Sequence, residues 1–272
     1  MAKDQEPEAV QITRPIDGIT VITINREKRR NAVNTATALK LYKAFTDFEE
    51  DPQAKVAIFN GANGTFCAGY DLHTVSESTT LSAPIPPEDP RERTVGPMGP
   101  SRMQIKKPVI TAVSGWAVAG GTELSLLGDI RIVEEDAHFG IFCRRWGVPL
   151  LDGGTVRLRA IVGLGRALDM ILSGRPVGAQ EALSMGLANR VVPKGKAYDE
   201  ALEYAKNLLK FPQVCMRADR DSCYYATYEA GSLQEALRFE FRNGLKSLTD
   251  EGAAGAGRFS KGAGRSGDFS KL

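Results

Sequence analysis

Residues 110–130 combine the residue types that could bind a carbonyl group and move a proton beside it. A β-branched apolar run enters a glycine turn, and the helix predicted to follow carries Glu123 in its first turn. A helix start has unpaired backbone N–H groups and a partial positive charge, and Gly120 and Gly121 leave room for a ligand oxygen because they lack a Cβ. The segment therefore predicts an oxyanion-binding site, although an ordinary strand-to-helix turn with an acidic first turn would show the same pattern.

A second apolar strand enters a glycine-rich turn within residues 56–72. If the two turns face each other, one backbone N–H from each could bind the same oxygen. Removing one donor from such a two-donor hole typically raises the reaction barrier by about 3 kcal/mol. The two turns together therefore point to chemistry at a carbonyl group that gains negative charge during the reaction.

Four segments carry a resemblance to a known family in their order and spacing. They are residues 24–34 (INREKRRNAVN), 66–72 (FCAGYDL), 114–130 (SGWAVAGGTELSLLGDI) and 153–168 (GGTVRLRAIVGLGRAL). The chain resembles the crotonase superfamily, also called the enoyl-CoA hydratase/isomerase family, from about residue 12 to its C-terminal helices. The resemblance implies an α/β fold, with a crotonase-like spiral of β-β-α units over residues 1–195. Residues 196–272 would form a C-terminal helical oligomerisation subdomain and tail.

The resemblance also implies roles for individual residues. The backbone N–H groups of Tyr70 and Gly120 match the two donors of the family's oxyanion hole, and Glu123 matches the glutamate that orients the attacking water in the hydratases. Cys143 stands where the hydratases have a second glutamate. A thiol has a pKa of about 8.5, so it stays neutral near pH 7 and is a poor replacement for a carboxylate. Asp152 lies where dienoyl-CoA isomerases and dihydroxynaphthoyl-CoA synthases place a catalytic aspartate, although an aspartate before a helix is also a favoured N-cap.

Coenzyme A is expected as part of an acyl-CoA substrate, so no separate cofactor is predicted. The residues that the resemblance assigns to substrate or CoA binding are Arg26, Ala32, Cys67, Ala68, Gly69, Asp71, Leu72, Gly121, Phe259 and Lys261. Three cations could bind the phosphates of coenzyme A, namely Lys28, Arg29 and Arg30. The same three residues could equally form an ordinary solvated basic loop. The glycine-rich tail that holds Phe259 and Lys261 could equally be a frayed terminus.

The composition excludes several other classes of protein. A chain of 272 residues with 42% apolar content can bury one sizeable core and a small helical subdomain. Its 35 basic and 33 acidic residues nearly balance, so the chain lacks the excess positive charge typical of proteins that bind nucleic acid or an anionic membrane. Neither a transmembrane stretch nor the apolar core of a secretory signal is present, so a cytoplasmic location is expected. The cysteine spacing and the two histidines argue against a metal site.

Apolar periodicity predicts the elements that must hold these residues. Strands are expected at residues 19–24 and near residues 56–60, 109–113 and 130–133, and helices at residues 35–50, 179–185, 198–210 and 232–249. The proline-rich residues 77–103 predict a loop. In the family the matching loop lines the acyl pocket, although an uninvolved surface linker would look the same.

Three functions are compatible with the sequence. The first is a hydratase-type lyase that adds water to a 2-enoyl-CoA, in fatty acid or related acyl-CoA metabolism. The second is a double-bond isomerase of the same fold, because one base can remove a proton at one carbon and return it at another. The third is a catalytically inactive acyl-CoA-binding protein, against which the retained Gly120, Gly121 and Glu123 argue. The resemblance implies a homotrimer or hexamer.

Overall fold

The computed structural model describes residues 6–72 and 95–264, in which nine strands form two sheets. The strands are β1 Val10–Ile16, β2 Ile19–Ile24, β3 Val56–Gly61, β4 Val109–Val113, β5 Trp116–Val118, β6 Ile130–Glu134, β7 His138–Gly140, β8 Val177–Gly178 and β9 Arg190–Val192. The larger sheet has the order β1-β2-β3-β4-β6-β9, and the smaller has the order β5-β7-β8. After the antiparallel β1-β2 hairpin, every pair in the larger sheet is parallel.

Helices connect and cover these strands. They are α1 Thr35–Glu50, α2 Gly120–Ser125, α3 Gly154–Val162, α4 Leu164–Ser173, α5 Ala179–Ser184, α6 Ala197–Leu209, α7 Gln213–Tyr228, α8 Leu233–Ser247 and α9 Ala253–Ser260. Short 3-10 helices include Pro100–Arg102 and Phe142–Trp146. From β4 to β7 the strands alternate between the sheets, because β4 and β6 belong to the larger one and β5 and β7 to the smaller. This alternation produces the predicted β-β-α spiral, so the predicted fold class is confirmed.

Local sequence explains why α1 forms where the periodicity places it. The Asn34 side chain caps the helix by accepting a hydrogen bond from the Thr37 N–H at 2.8 Å. Leu41, Phe45 and Phe48 follow at helical spacing, and all three are buried. Burial of one such side chain stabilises the fold by roughly 1.5–3 kcal/mol.

An aromatic cluster connects α1 and β3 to the first glycine-rich turn. The Phe45 and Phe59 rings meet edge to face with centroids 5.1 Å apart, and Phe59 contacts Phe66 in the same manner at 5.3 Å. Phe66 directly precedes the turn at residues 67–70. The core therefore fixes the position of a segment whose backbone is expected to bind substrate.

The chain divides into two compact units, Met1–Ala205 and Lys206–Leu272. The division lies within α6 and thus after the predicted boundary at residue 195. In the second unit α7 and α8 pack together through Tyr225 and Phe239, whose rings stack with centroids 4.0 Å apart. Along α8, exposed apolar side chains recur at four-residue spacing, namely Leu233, Leu237, Phe241 and Leu245. The oligomerisation role of this unit stays a prediction.

Two expectations drawn from composition concern the membrane and the cysteines. Across residues 6–72 and 95–264, no helix has both the length and the apolar character needed to cross a bilayer. The cysteines at positions 67, 143, 215 and 223 are all free thiols. The cytoplasmic location stays a prediction.

Candidate active site

The two glycine-rich turns lie side by side, as their sequences predict. The Cys67 N–H donates to the Trp116 carbonyl at 2.9 Å, and the Val118 N–H donates back to the Cys67 carbonyl at 3.0 Å. A β-carbon built on Gly69 would lie 3.2 Å from the Gly120 nitrogen. Gly69 also has φ 98°, so both its backbone conformation and the nearby second turn favour glycine at this position.

Two backbone N–H groups at this junction have no partner within the described residues. Neither the Tyr70 nor the Gly120 N–H donates a hydrogen bond there, whereas the next N–H along the first turn, that of Asp71, donates to the Val33 carbonyl at 2.9 Å. Gly120 is buried and Tyr70 is half-buried. Because buried N–H groups are nearly always paired, two unpaired ones at one junction indicate a place for an external acceptor.

The residue before Gly120 has a strained backbone. Ala119 has φ 53° and ψ −125°, a conformation that residues with a β-carbon rarely adopt. Its N–H donates to the Gly140 carbonyl at 2.7 Å, which fixes it to β7. Strain of this kind costs roughly 1–3 kcal/mol and is typical of functional sites. At this position the strained turn determines where the Gly120 N–H points.

Glu123 lies on α2, three residues after Gly120, and only 2% of it is exposed. Its Oε1 accepts hydrogen bonds from the Asp152 N–H at 2.9 Å and the Gly154 N–H at 2.8 Å. Neither bond uses Oε2. Burial and, to a smaller extent, the negative charge of Asp152 raise the pKa of Glu123 to about 8. A carboxyl group with this pKa is well matched to proton transfer near neutral pH.

Asp152 is also buried, and its side chain does not cap the helix α3 that follows it. The N-cap of α3 is Gly153, with no side-chain hydrogen bond, so the capping interpretation is wrong. Asp152 Oδ1 instead accepts from the Met98 N–H at 2.9 Å and from the Ser101 hydroxyl. Burial raises the pKa of Asp152, and these two hydrogen bonds oppose the increase.

Cys143 is half-buried in the 3-10 helix Phe142–Trp146. Burial raises the pKa of its thiol, and the negative charge of Glu123 adds to the increase. The thiol is therefore neutral near pH 7, and it is close enough to Glu123 to be affected by the charge of that carboxylate. Cys143 does not provide the second carboxylate that the hydratases have at this position.

Arg26 and Asp71, both predicted to bind CoA, pair with each other inside the protein. The Arg26 Nη1 lies 3.1 Å from Asp71 Oδ2, its Nε lies 2.7 Å from Glu6 Oε2, and it also donates to the Ala32 carbonyl. Only 6% of Arg26 and 6% of Asp71 is exposed. The pair connects the loop around residues 26–34 to the end of the first glycine-rich turn.

The other predicted CoA-binding residues fall into three groups. Cys67, Ala68, Gly69 and Gly121 form the junction between the turns, where a β-carbon on Gly121 would overlap the Cys67 carbonyl oxygen. Leu72 is exposed, and so are the three cations Lys28, Arg29 and Arg30. Phe259 and Lys261 belong to the second unit and are exposed there. The binding roles of all these residues stay predictions.

The structure adds two residues that the sequence did not single out. Met98 and Ser101 lie in the segment predicted only as a loop, and both bond to Asp152. Most of that loop, residues 77–94, lies outside the described residues. Within the described ranges no group of three His, Cys, Asp or Glu side chains could hold a metal ion.

Comparisons with known proteins agree with this geometry. A model of the enoyl-CoA hydratase/isomerase family matches residues 15–258. An enoyl-CoA hydratase of Mycobacterium tuberculosis is 34% identical over 253 residues, covering 89% of this chain and 90% of the relative. A carnitinyl-CoA dehydratase of Escherichia coli is 33% identical over 240 residues, covering 88% of this chain and 87% of the relative.

Solved structures show the same similarity in three dimensions. The crystal structure of an enoyl-CoA hydratase from Mycobacterium tuberculosis has a TM-score of 0.83 at 29% identity, covering 93% of this chain and 96% of that chain. An enoyl-CoA hydratase from Bacillus anthracis has a TM-score of 0.81 at 28% identity, with coverage of 93% and 96%. The chain belongs to the enoyl-CoA hydratase/isomerase family, the crotonases.

Proposed function

We propose that the protein is a hydratase-type lyase that adds water to the double bond of a 2-enoyl-CoA thioester. Family membership makes an acyl-CoA the substrate. The observation that carries the proposal is a pair of N–H groups, on Tyr70 and Gly120, that have no partner among the described residues and lie at the start of the region that holds the buried carboxyl group of Glu123. Two relatives are named a hydratase and a dehydratase, and both names denote the addition or removal of water.

The proposed reaction begins with the thioester oxygen accepting hydrogen bonds from the Tyr70 and Gly120 N–H groups. These donors draw electrons toward the oxygen, so C3 of the conjugated double bond becomes electrophilic. Glu123 takes a proton from water as the water oxygen bonds to C3, and the resulting enolate places its charge on the held oxygen. A proton is then added to C2, which completes a 3-hydroxyacyl-CoA.

Asp152 or a water molecule supplies the proton to C2 in this mechanism. Asp152 is suited to the task because burial raises its pKa, and because its Oδ1 is held by Met98 and Ser101 while neither bond uses Oδ2. The Cys143 thiol is also close enough to Glu123 to be affected by its charge, but burial raises the pKa of this thiol and keeps its proton on sulfur. Asp152 is therefore the proposed second acid.

A double-bond isomerase is the second candidate, and the observation that favours it is Cys143 in place of a second glutamate. In that reaction Glu123 alone removes a proton from C2 of a 3-enoyl-CoA and returns it to C4. A protein that only binds acyl-CoA is less well supported, because a buried carboxyl group with a raised pKa serves proton transfer and is not needed to bind a thioester.

A product analysis with two substrate panels distinguishes the three functions. Purified protein is incubated with 2-enoyl-CoA and 3-enoyl-CoA thioesters in ¹⁸O-labelled water, and products are identified by mass spectrometry. We expect labelled 3-hydroxyacyl-CoA from the 2-enoyl panel. Unlabelled 2-enoyl-CoA from the 3-enoyl panel, without hydration, would establish the isomerase instead. Binding without any product would establish the inactive protein.

Two substitutions at Gly120 test the proposed oxyanion hole. Gly120→Pro deletes the N–H and is expected to lower kcat/KM at least about a hundredfold, as loss of one oxyanion donor does. Gly120→Ala is the comparison variant, because it keeps the N–H and its added carbon, 2.8 Å from Met98 Sδ, can lower the rate only by crowding. Initial rates are compared after thermal melting shows that both variants fold. Equal losses in the two folded variants would count against the donor role.

The pH dependence of kcat/KM tests Glu123 as the base. Only the ionised carboxylate accepts a proton, and burial raises the pKa of Glu123 from 4.5 to about 8. We therefore expect kcat/KM to rise with pH and to level off above about pH 8. Initial rates measured from about pH 6 to about pH 9 follow the loss of the conjugated enoyl thioester. A profile that is already level throughout this range would contradict the assignment.

A further inference from the structure

Met98 packs against Gly120, one of the two residues proposed to hold the thioester oxygen. The Met98 side chain is fully buried, with 0% of its surface exposed. A β-carbon built on Gly120 would lie 2.8 Å from Met98 Sδ, 2.9 Å from Cγ and 3.1 Å from Cε. The thioether therefore fills the space directly beside Gly120, and its neighbours in that space are atoms of the proposed oxyanion hole.

Hydrogen bonds hold the backbone of Met98 in place. The Met98 N–H donates to Asp152 Oδ1 at 2.9 Å. Gly96 and Gly99 exchange two backbone hydrogen bonds, each 2.8 Å long, which turn the chain tightly around Met98. Gly99 has φ 80°, a left-handed conformation that suits glycine.

Arg157 on α3 is hydrogen-bonded to the residues that follow Met98 in the chain. Its Nη1 donates to the Ser101 carbonyl, and its Nη2 donates to the Met103 carbonyl at 2.9 Å. The start of α3 also supplies a backbone N–H to Glu123. Met98 and Glu123 are therefore both hydrogen-bonded to the segment that leads into α3.

We infer that Met98 determines specificity by admitting thioesters that are unbranched at C2 and excluding those with a methyl or larger group there. The inference rests on the proposed function, in which the thioester oxygen lies about 3 Å from the Gly120 nitrogen. C2 is only two bonds from that oxygen, so a substituent on C2 meets the space that the Met98 thioether occupies. A close-packed site leaves no further room for a methyl group.

The test compares two substrates that differ only at C2, 2-butenoyl-CoA and 2-methyl-2-butenoyl-CoA. Met98→Ala is expected to raise the ratio of kcat/KM for the branched over the unbranched substrate by about tenfold, the discrimination typical of one methylene-sized group. Met98→Leu, which conserves volume, is expected to keep the wild-type ratio within about twofold. Met103→Ala is the matched control, because Met103 is also buried in this segment, at 3% exposure.

The inference is overturned if Met98→Ala folds and leaves the ratio unchanged, or if Met103→Ala raises it equally. Failure of the proposed function is a separate outcome, in which the wild-type protein converts neither substrate. Calorimetric binding of butanoyl-CoA and 2-methylbutanoyl-CoA then decides the inference without turnover. A gain of about tenfold in relative affinity for the branched thioester in Met98→Ala supports it, and no gain overturns it.

Discussion

Replacement of Glu123 by glutamine is expected to lower kcat by about three orders of magnitude, within the range known for removal of a positioned general base. The amide oxygen can still accept the hydrogen bonds from the Asp152 and Gly154 N–H groups, so the geometry around α2 and α3 is retained. Glutamine cannot take the proton from water. Steady-state rates with the most reactive enoyl-CoA of the panel, together with calorimetric acyl-CoA binding, separate lost chemistry from lost affinity.

Stability provides the control for this variant. The folded protein raises the pKa of Glu123 from 4.5 to about 8, so between these values it retains a proton that the unfolded chain releases. The contribution of Glu123 to the free energy of unfolding is therefore favourable below about pH 4.5 and declines as pH rises to about 8. Urea titrations should show Glu123→Gln gaining stability over the wild type as pH rises. Unchanged turnover in the folded variant would remove Glu123 from the mechanism.

Long apolar runs made much of the larger sheet predictable. The strands at residues 19–24 and 109–113 and the helix at residues 35–50 are found with the predicted bounds, because each buries a regular apolar pattern. Helix α7, Gln213–Tyr228, was not predicted, because it has no long buried apolar face and the residues it buries are the small Ala218 and Ser222. Pro212 indicated only a break between helices, whereas in the structure it is the N-cap of α7.

The proximity of the two glycine-rich turns was also expected, because one N–H from each can bind the same oxygen, although the first turn follows β3 of the larger sheet and the second follows β5 of the smaller one. The partners of the Asp152 side chain were not. Met98 and Ser101 lie 54 and 51 residues earlier in the chain, and no local pattern connects them to an aspartate that precedes Gly-Gly-Thr. Local sequence made an N-cap equally reasonable, and tertiary structure decided against it.

The internal pairing of Arg26 with Asp71 has the same origin. Sequence alone presents Arg26 as one cation of a basic loop, and such loops are usually solvated. The carboxylate that pairs with it lies 45 residues later, in the other glycine-rich region. Long-range contacts of this kind decide whether a charged side chain faces a ligand or supports the fold, and residue type alone does not reveal them.

Replacement of Asp152 by asparagine separates the two roles that the structure leaves for this residue. The side-chain amide oxygen of the Asp152→Asn variant can still accept from the Met98 N–H and the Ser101 hydroxyl, so we expect a melting temperature close to that of the wild type.

An amide cannot deliver a proton, and if Asp152 supplies it to C2, kcat falls at least about a hundredfold. Loss of the negative charge also removes one cause of the raised pKa of Glu123, so the rising limb of the kcat/KM profile moves below about pH 8. Asp152→Ala is the comparison variant, because it loses the hydrogen bonds as well as the proton. Full activity of Asp152→Asn, with Asp152→Ala impaired, would show that Asp152 only positions the Met98 segment. Glu123 would then be the sole base, and the balance would move from hydratase toward isomerase.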